Sequence, residues 1–322
     1  MVAQIANYKR RTVLRQFPWF VSNSNRNGDQ ICYEKTMRTL PIPQEPLPDH
    51  VVGFKHICIQ YVDQSVIDFL KRIGRLLETS TIGFRLEMDN NDSRCWQIVA
   101  HQIWPLIHNS IRTLVLNDYD RRYGLRTLDE LRRNVSPTVL RECQHLQRII
   151  CRKIEAHNLL EVDDAANATS GQALLKWLDT PLANGCPKEL DHRAHTVRDL
   201  YSAEDIGIRR QIEALKVNFE RSSVSASASF IVSYMLCHIS HFSQLPYDEF
   251  DFEMENRRTM QQLSGQRRHG SCRYAWVVKC PIGQFEKVMK KTRQMQWDTN
   301  INFSIDFRGV DTKLEFLSLI DN

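Results

Sequence analysis

The chain has 322 residues, 42% of them hydrophobic and 25% charged, and it carries a formal net charge of +5. These values are ordinary for a folded protein, so they exclude a disordered chain and predict one large domain or two ordinary ones. Pairs of basic residues are scattered among acidic residues instead of being concentrated, which argues against a nucleic-acid-binding protein.

Nine cysteines lie far apart in the sequence, and no two of them form a CxxC pair. This pattern is typical of a reducing compartment, with Cys58, Cys95 and Cys151 acting as small core hydrophobes. Residues 1–16 lack the apolar run of a signal peptide, and no stretch approaches about 18 uninterrupted apolar residues. We therefore expect a cytoplasmic and/or nuclear protein that binds no membrane.

Residues 1–49 are predicted to form a hairpin followed by a proline-rich connector. The apolar run Phe17–Val21 and the return run Gln30–Tyr33 flank turn residues at 23–29, which is the pattern of two paired strands. Residues 40–48 contain four prolines, which exclude a helix and a central strand and indicate an extended segment.

Residues 50–242 carry a recurring short pattern of the form apolar-x-x-apolar-x-apolar, although the second copy lacks its first apolar residue. Aligning the middle apolar position of each copy gives Ile57, Phe84, Leu114 and Ile149, which are spaced 27, 30 and 35 residues apart. Between the copies, apolar residues recur with helical periodicity. Strand–helix units of this length require parallel strands with crossover helices on one side, stacked so that neighbours share a core. We interpret the region as α/β, an irregular leucine-rich-repeat-like solenoid.

The remaining elements are less clearly patterned. A strand near Leu190, an amphipathic helix at about 203–220 and a buried strand at 230–237 complete the repeat region. In residues 243–322, apolar and polar residues alternate at 250–254, 274–278 and 301–307, which is typical of half-buried antiparallel strands. With a helix at 285–295, this part is expected to be a small α+β, mostly antiparallel cap on the solenoid.

A doubly wound open sheet is the main alternative fold, because it also alternates strands and helices. It is disfavoured because no glycine-rich turn follows the first strand, so the nucleotide cradle of that fold is missing. The recurring register also argues against it, since a doubly wound sheet needs only plain apolar runs.

Patterns for metal binding and catalysis are weak. Candidate zinc ligands stand at suitable spacings, but no second cysteine pair or HExxH motif accompanies them. These candidates are His192, His195, Cys237, His238 and His241. There is no GxSxG elbow, reactive-cysteine signature or P-loop. We therefore expect no metal, no cofactor and no catalytic residue in a non-enzymatic protein, with an enzyme of unrecognised type as the lesser alternative.

A partner-binding stripe is predicted on the sheet. If the apolar strand residues point into the core, their neighbours line the opposite face. Interfaces draw most of their energy from a few arginine and aromatic residues, so Arg85 and Arg148 are the strongest candidates there. The full predicted stripe is His56, Gln60, Arg85, Glu87, Thr113, Arg148 and Arg152.

Six short stretches follow one another in a specific order: LPIPQEPLP (40–48), IWPLI (103–107), LDELRR (128–133), SPTVLREC (136–143), SGQALLKWLDTP (170–181) and KCPI (279–282). In these stretches, and from about residue 40 to 308, the chain resembles the F-box-domain-containing proteins of plant-parasitic nematodes. The resemblance implies the substrate-recognition part of an SCF-type ubiquitin ligase, with an unknown protein as its substrate.

An F-box would precede this recognition region, and residues 1–12 resemble at most its remnant. We therefore expect the F-box to be missing or truncated in this chain. The ligase adaptor subunit is then expected as a partner only if an F-box lies upstream. The alternative is a free binder without an F-box, or a host-directed effector or decoy.

Overall fold

The computed structural model describes residues 15–22, 24–25, 28–33, 38–41, 51–59, 62–79, 82–86, 93–116, 126–151, 163–194, 203–222, 228–236, 251–268 and 273–294. Within them the fold is mixed α/β. Strands and helices alternate between residues 51 and 236, and strands predominate between residues 251 and 281. The two parts share one large sheet, parallel first and then antiparallel.

The strands fall into a large sheet and a small one. In chain order they are β1 (Arg15–Ser22), β2 (Ser24–Asn25), β3 (Gly28–Tyr33), β4 (Arg38–Pro41), β5 (Val51–Ile59), β6 (Ile82–Leu86), β7 (Ile111–Leu116), β8 (Arg148–Cys151), β9 (Lys188–Ala194), β10 (Phe230–Leu236), β11 (Phe252–Asn256), β12 (Gln261–Arg268) and β13 (Arg273–Pro281). The large sheet has ten strands in the order β1-β5-β6-β7-β8-β9-β10-β13-β12-β11. From β5 to β10 the spatial order follows the chain order, whereas a doubly wound sheet reverses at a switch point. The doubly wound alternative therefore does not describe this sheet.

The helices lie between the strands. They are α1 (Gln64–Arg72), α2 (Gly74–Thr79), α3 (Ser93–Ile98), α4 (Trp104–Ile107), α5 (Arg126–Asn134), α6 (Val139–Glu142), α7 (Ser170–Leu178), α8 (Ala203–Arg221) and α9 (Phe285–Gln294). None of these described helices is both long and apolar enough to cross a lipid bilayer.

The predicted alignment of the repeated pattern is confirmed by the strand register. Parallel pairing places the aligned residues side by side across neighbouring strands, and the row continues into the two strands whose sequence pattern is weak. The complete row is Ile57, Phe84, Leu114, Ile149, Leu190 and Val232. All six side chains are buried in one hydrophobic cluster with the apolar residues of the helices between the strands. We call this side of the sheet the first face.

Two of the helices begin at side-chain caps that the local sequence supplies. The Asp63 carboxylate accepts a hydrogen bond from the Val66 backbone N–H at 3.0 Å, which satisfies one unpaired donor of the first turn of α1. At α7, Thr169 and Gln172 form a reciprocal capping box with hydrogen bonds of 3.2 and 2.8 Å. Each cap therefore fixes the residue at which the buried apolar face of its helix starts.

The helical segment between β6 and β7 is interrupted at a proline. Helix α3 passes through a π turn, Val99–Ile103, before α4 begins. Pro105 has no N–H, and its ring crowds the carbonyl four residues earlier, so regular α-helical bonding cannot continue there. The backbone N–H of Trp104 instead donates to the carbonyl of Val99, five residues back.

The helical pattern predicted from Leu128 to Val139 is split at Pro137, so that α5 and α6 are separate helices. The Arg132 guanidinium stabilises the break by hydrogen-bonding to backbone carbonyls. It donates to the carbonyls of Pro137 at 3.1 Å and Ala165 at 2.8 Å, and it also bonds to that of Ala168. These bonds attach the segment before α7 to the end of α5.

The antiparallel strands predicted near residues 252 and 276 are confirmed, and they continue the sheet of the repeat region. Strand β13 pairs with β10, β12 with β13, and β11 with β12, all antiparallel. Helix α9 packs Phe285, Val288 and Met289 against a second cluster that includes Ile231 and Trp276. The predicted strand at 301–307 lies outside the described residues.

The N-terminal hairpin is a wrong prediction. Strand β1 pairs in parallel with β5, whereas β3 pairs antiparallel with β2 and β4 in the small sheet. The apolar run in β1 suits a parallel strand, which can be buried on both faces, better than a hairpin strand. Pro18 is tolerated because β1 ends the described sheet, and the register shifts beside it. Residues 1–12 lie outside the described residues. Of the predicted connector at 40–48, residues 40 and 41 belong to β4 and residues 42–48 lie outside the described residues.

The cysteines at the core are inert. Cys58 and Cys151 are buried as predicted, whereas Cys95 is half-buried. Burial raises the pKa of Cys58 to about 12, although Arg85 nearby lowers it, and burial also raises the pKa of Cys151. Because the reactive form of cysteine is the thiolate, both side chains act as small hydrophobes in the folded protein.

Candidate functional site

We call the opposite side of the sheet the second face. One row of paired residues on this face contains both polar and apolar side chains. The row crosses seven strands from β5 to β13, and each of its members is buried. They are Cys58, Arg85, Val115, Ile150, Asp191, Ser233 and Trp276. Because charged groups are seldom buried without a partner, Arg85 and Asp191 are the residues of functional interest.

Four residues in the middle of the second face form what we call the charged cluster: Arg148, Glu189, Asp191 and Ser233. Nη2 of Arg148 lies 3.0 Å from Oδ2 of Asp191, and Nε lies 3.9 Å from Oε2 of Glu189. The Ser233 hydroxyl donates to Oδ1 of Asp191 at 3.3 Å. These contacts follow from the register, which places Arg148 opposite Glu189 and Asp191 opposite Ser233.

The charged cluster holds the guanidinium of Arg148 in one orientation at the surface. The Arg148 side chain is 18% exposed, while both carboxylates are almost completely buried. A buried carboxylate is stable only when it is paired and hydrogen-bonded, so Asp191 anchors Arg148. An arginine fixed in this way loses little conformational entropy when a second molecule contacts it.

The structure brings three residues of the predicted stripe onto one row. His56, Thr113 and Arg148 lie in register, with Gly83 between the first two. Thr113 and Arg148 are half-buried, and His56 is described only in its backbone position. The other stripe residues except Arg85 lie outside the described residues: Gln60, Glu87 and Arg152.

Arg85 does not occupy the open position predicted for it, because it is only 4% exposed. It stands beside Cys58 of β5 and Val115 of β7 in a row that is buried throughout. The alternation of residues in a strand separates its two faces. Alternation does not indicate whether the second face is covered, so the burial of Arg85 could not be predicted from its strand.

Sequence reasoning missed Glu189, Asp191 and Ser233, which complete the charged cluster. Strand β9 contains one buried apolar residue, Leu190, between two acids, so its hydrophobic pattern is faint. The available signal is charge complementarity between neighbouring strands: an arginine in β8 and acids in β9. It becomes visible once Leu190 is aligned with Ile149.

The first face carries a second charged group, which we call the lysine cluster: Trp177, Asp179, Lys188, Phe230 and Lys279. Lys188 and Lys279 flank Phe230 in the register of β9, β10 and β13. Lys188 donates to the backbone carbonyl of Trp177, and its Nζ lies 4.9 Å from the centre of that indole. Lys279 Nζ lies 2.5 Å from Oδ1 of Asp179. Both ammonium groups therefore lie at the C-terminal end of α7, where the helix dipole favours a positive charge and opposes the cost of burying it.

We expect replacement of Lys188 by methionine to stabilise the protein at neutral pH. Burial lowers the pKa of Lys188 to about 8 from an ordinary 10.5, and Asp179 opposes this shift. Between these two pH values the unfolded chain holds the proton and the folded protein does not, so wild-type stability rises with pH there. Below pH 8 the cost of the buried charge is fully present.

The measurement is urea unfolding of wild type and Lys188→Met at pH 7 and at pH 10. The variant should be more stable by roughly 1–3 kcal/mol at pH 7, and the difference should shrink at pH 10. A variant that is less stable by the same amount at both pH values would show that the contacts with Trp177 outweigh the burial of the charge.

Neither the cavity nor the candidate zinc ligands in the described residues form a catalytic or metal site. A cavity of about 20 Å³ lies between α7, α8 and strands β9 and β10, lined mainly by leucines with Gln211 and Tyr234. This is room for about one water molecule. Of the candidate zinc ligands only His192 is described, and its ring packs edge-on against Tyr234 at 5.7 Å. Among the described residues, no three His, Cys, Asp or Glu side chains form a metal-binding group.

Comparison with known proteins adds no family to these observations: the chain matches no family model, no curated protein and no solved structure. The geometry of the sheet, the charged cluster and the lysine cluster therefore supports any functional proposal.

Proposed function

We propose that the chain is a non-enzymatic protein-interaction module that binds its partner at the part of the second face around Thr113 and Arg148, which is partly accessible. The observation that carries this proposal is that the repeat-region helices pack against the first face, whereas the second face has a partly exposed charged residue. The helices of the repeat region pack into one hydrophobic cluster with the first face. The second face presents an anchored, partly exposed arginine, Arg148, beside Thr113.

The architecture that supports this function is an irregular leucine-rich-repeat-like solenoid. Five consecutive strand pairs from β5 to β10 are parallel and adjacent in sequence. Stacked strand–helix units of this kind create an extended sheet surface that repeat proteins use for binding. In this proposal the antiparallel strands β11–β13 close one end of the stack.

Arg148 is the centre of the proposed contact surface. Arginine is enriched among the residues that dominate interface energies, because its planar guanidinium can bond and stack at the same time. Thr113 lies opposite Arg148 on the neighbouring strand and is partly accessible. The partner is a substrate protein, as in the recognition part of an F-box protein of an SCF-type ubiquitin ligase.

Site-specific photo-crosslinking tests the surface. A photo-crosslinking amino acid placed at Thr113 reports contacts of the second face, and the same amino acid at Gln97, exposed on α3, is the matched control. We expect a discrete crosslinked protein from position 113 that is absent from position 97. Equal crosslinking at both positions, or none at 113, would contradict the use of the second face.

Binding of the ligase adaptor subunit separates the main proposal from its alternative. The purified chain is titrated with adaptor in a calorimeter, before and after fusion of a complete F-box ahead of residue 1. Binding by the original chain supports membership of a ligase complex. Binding only by the fusion shows that residues 1–322 do not contact the adaptor by themselves, as expected if this contact needs an F-box.

A further inference from the structure

The turn between β11 and β12 carries a group we call the tip: Arg257, Arg258 and Met260. Met260 is 65% exposed, and among the described residues no other large hydrophobic side chain is exposed. Arg257 is 90% exposed, and its nearest acid, Glu255, is 3.9 Å away. The tip thus presents an apolar side chain next to two cationic ones.

The backbone of the tip is held by Asn256, which is buried. Its side-chain amide donates to the carbonyls of Phe219 and Ser222 at the end of α8, at 2.8 and 3.0 Å. Its side-chain oxygen accepts from the backbone N–H groups of Arg258 and Thr259. The turn is therefore attached to the longest described helix and cannot relax independently of it.

Met260 adopts a backbone conformation that methionine disfavours. Its φ is 54°, in the left-handed region that is unfavourable for a residue with a side chain and that glycine adopts freely. Its carbonyl accepts a hydrogen bond from the Ile282 N–H at 3.2 Å, which fixes this conformation to the end of β13. An exposed apolar side chain on a strained, anchored backbone is typical of a preorganised contact residue.

We propose that the tip binds an acidic peptide segment that contains an aromatic side chain. The two arginines would pair with carboxylates of the segment. The thioether of Met260 would pack against the aromatic ring, a contact more favourable than simple burial of the methionine. The site is separate from the charged cluster, so it provides a second contact whether or not the second face binds a partner.

Selection from a library of random 12-residue peptides tests the proposal with the full chain as bait. We expect enriched peptides to combine acidic and aromatic residues and to bind more weakly as salt is added. Met260→Gly removes the side chain in a conformation that glycine prefers, so it should weaken binding at least tenfold while the melting temperature stays within a few degrees. Met260→Leu should retain most of the binding.

The double variant Arg257→Glu/Arg258→Glu should also lose binding, because both side chains are exposed and their reversal leaves the fold intact. Arg133→Glu/Arg210→Glu, at two exposed helix positions away from the tip, is the charge-matched control. The proposal is overturned if no peptide is enriched, or if the enriched peptides bind Met260→Gly or the double variant as tightly as wild type.

Discussion

Replacing Asp191 by alanine should destabilise the protein by about 3 kcal/mol. The carboxylate is buried, pairs with the Arg148 guanidinium at 3.0 Å and accepts from Ser233. Removing one member of a buried pair leaves the other charge poorly compensated, which costs roughly 3–5 kcal/mol, and the partial exposure of Arg148 reduces that cost. Urea unfolding followed by circular dichroism measures the change.

Two comparisons show whether this loss comes from the ion pair. Ser233→Ala removes only the hydrogen bond from the hydroxyl to the Asp191 carboxylate and should cost about 1.5 kcal/mol, the low end for a bond to a charged group, because this bond is long at 3.3 Å. The triple variant Arg148→Met/Glu189→Gln/Asp191→Leu removes all three charges of the cluster and should recover much of the stability lost by Asp191→Ala. A triple variant that is no more stable than Asp191→Ala would contradict the proposed coupling.

Replacing Phe84 by alanine should destabilise the protein by about 3–5 kcal/mol, the range found for buried aromatic residues. Phe84 is fully buried in the central row of the first face, and its ring meets that of Trp104 edge-on at 6.3 Å. The cavity left behind lies between strand and helix, where close packing prevents collapse.

Phe252 provides the matched control, because it is the same residue type in a half-buried position on the end strand β11. Phe252→Ala should cost clearly less than Phe84→Ala in the same urea titration. If the two substitutions have equal effects, the row through Phe84 is not the centre of the core.

The charged cluster changes how the role of Arg148 in binding has to be measured. Reversing its charge would bring a third carboxylate beside Glu189 and Asp191, and the resulting repulsion would destabilise the sheet. A loss of binding could then reflect unfolding. Crosslinking from Thr113 avoids this problem, since it leaves all three charges in place.

The central part of the fold could be predicted because its information is local. Each copy of the repeated pattern contains its own strand residues, and alignment of Ile57, Phe84, Leu114 and Ile149 reproduces the observed register. Periodicity of this kind depends only on which residues face the core. The predicted helices are likewise present, apart from breaks at Pro105 and Pro137.

The features that could not be predicted depend on pairing between distant segments. The apolar run in β1 has the pattern of a hairpin strand, but β1 pairs in parallel with β5. The three strands of the small sheet lie between β1 and β5 in the sequence. Buried charges in β9 removed the hydrophobic pattern that identifies a strand, since Glu189 and Asp191 are compensated by Arg148 from another part of the chain. Burial of Arg85 is a property of the assembled sheet and has no signature in its own strand.

The order of the last strands bears on how the chain folds as it leaves the ribosome. Strands β6 to β10 can add one after another to β5, because each pairs with the strand made just before it. Strand β10, however, pairs on its other side with β13, and β11 and β12 attach only beyond β13. At synthesis rates of about 5–20 residues per second, the free edge of β10 stays uncovered for a few seconds. During that interval it offers unpaired backbone groups to any passing strand, so molecular chaperones should engage the nascent chain most strongly at this stage.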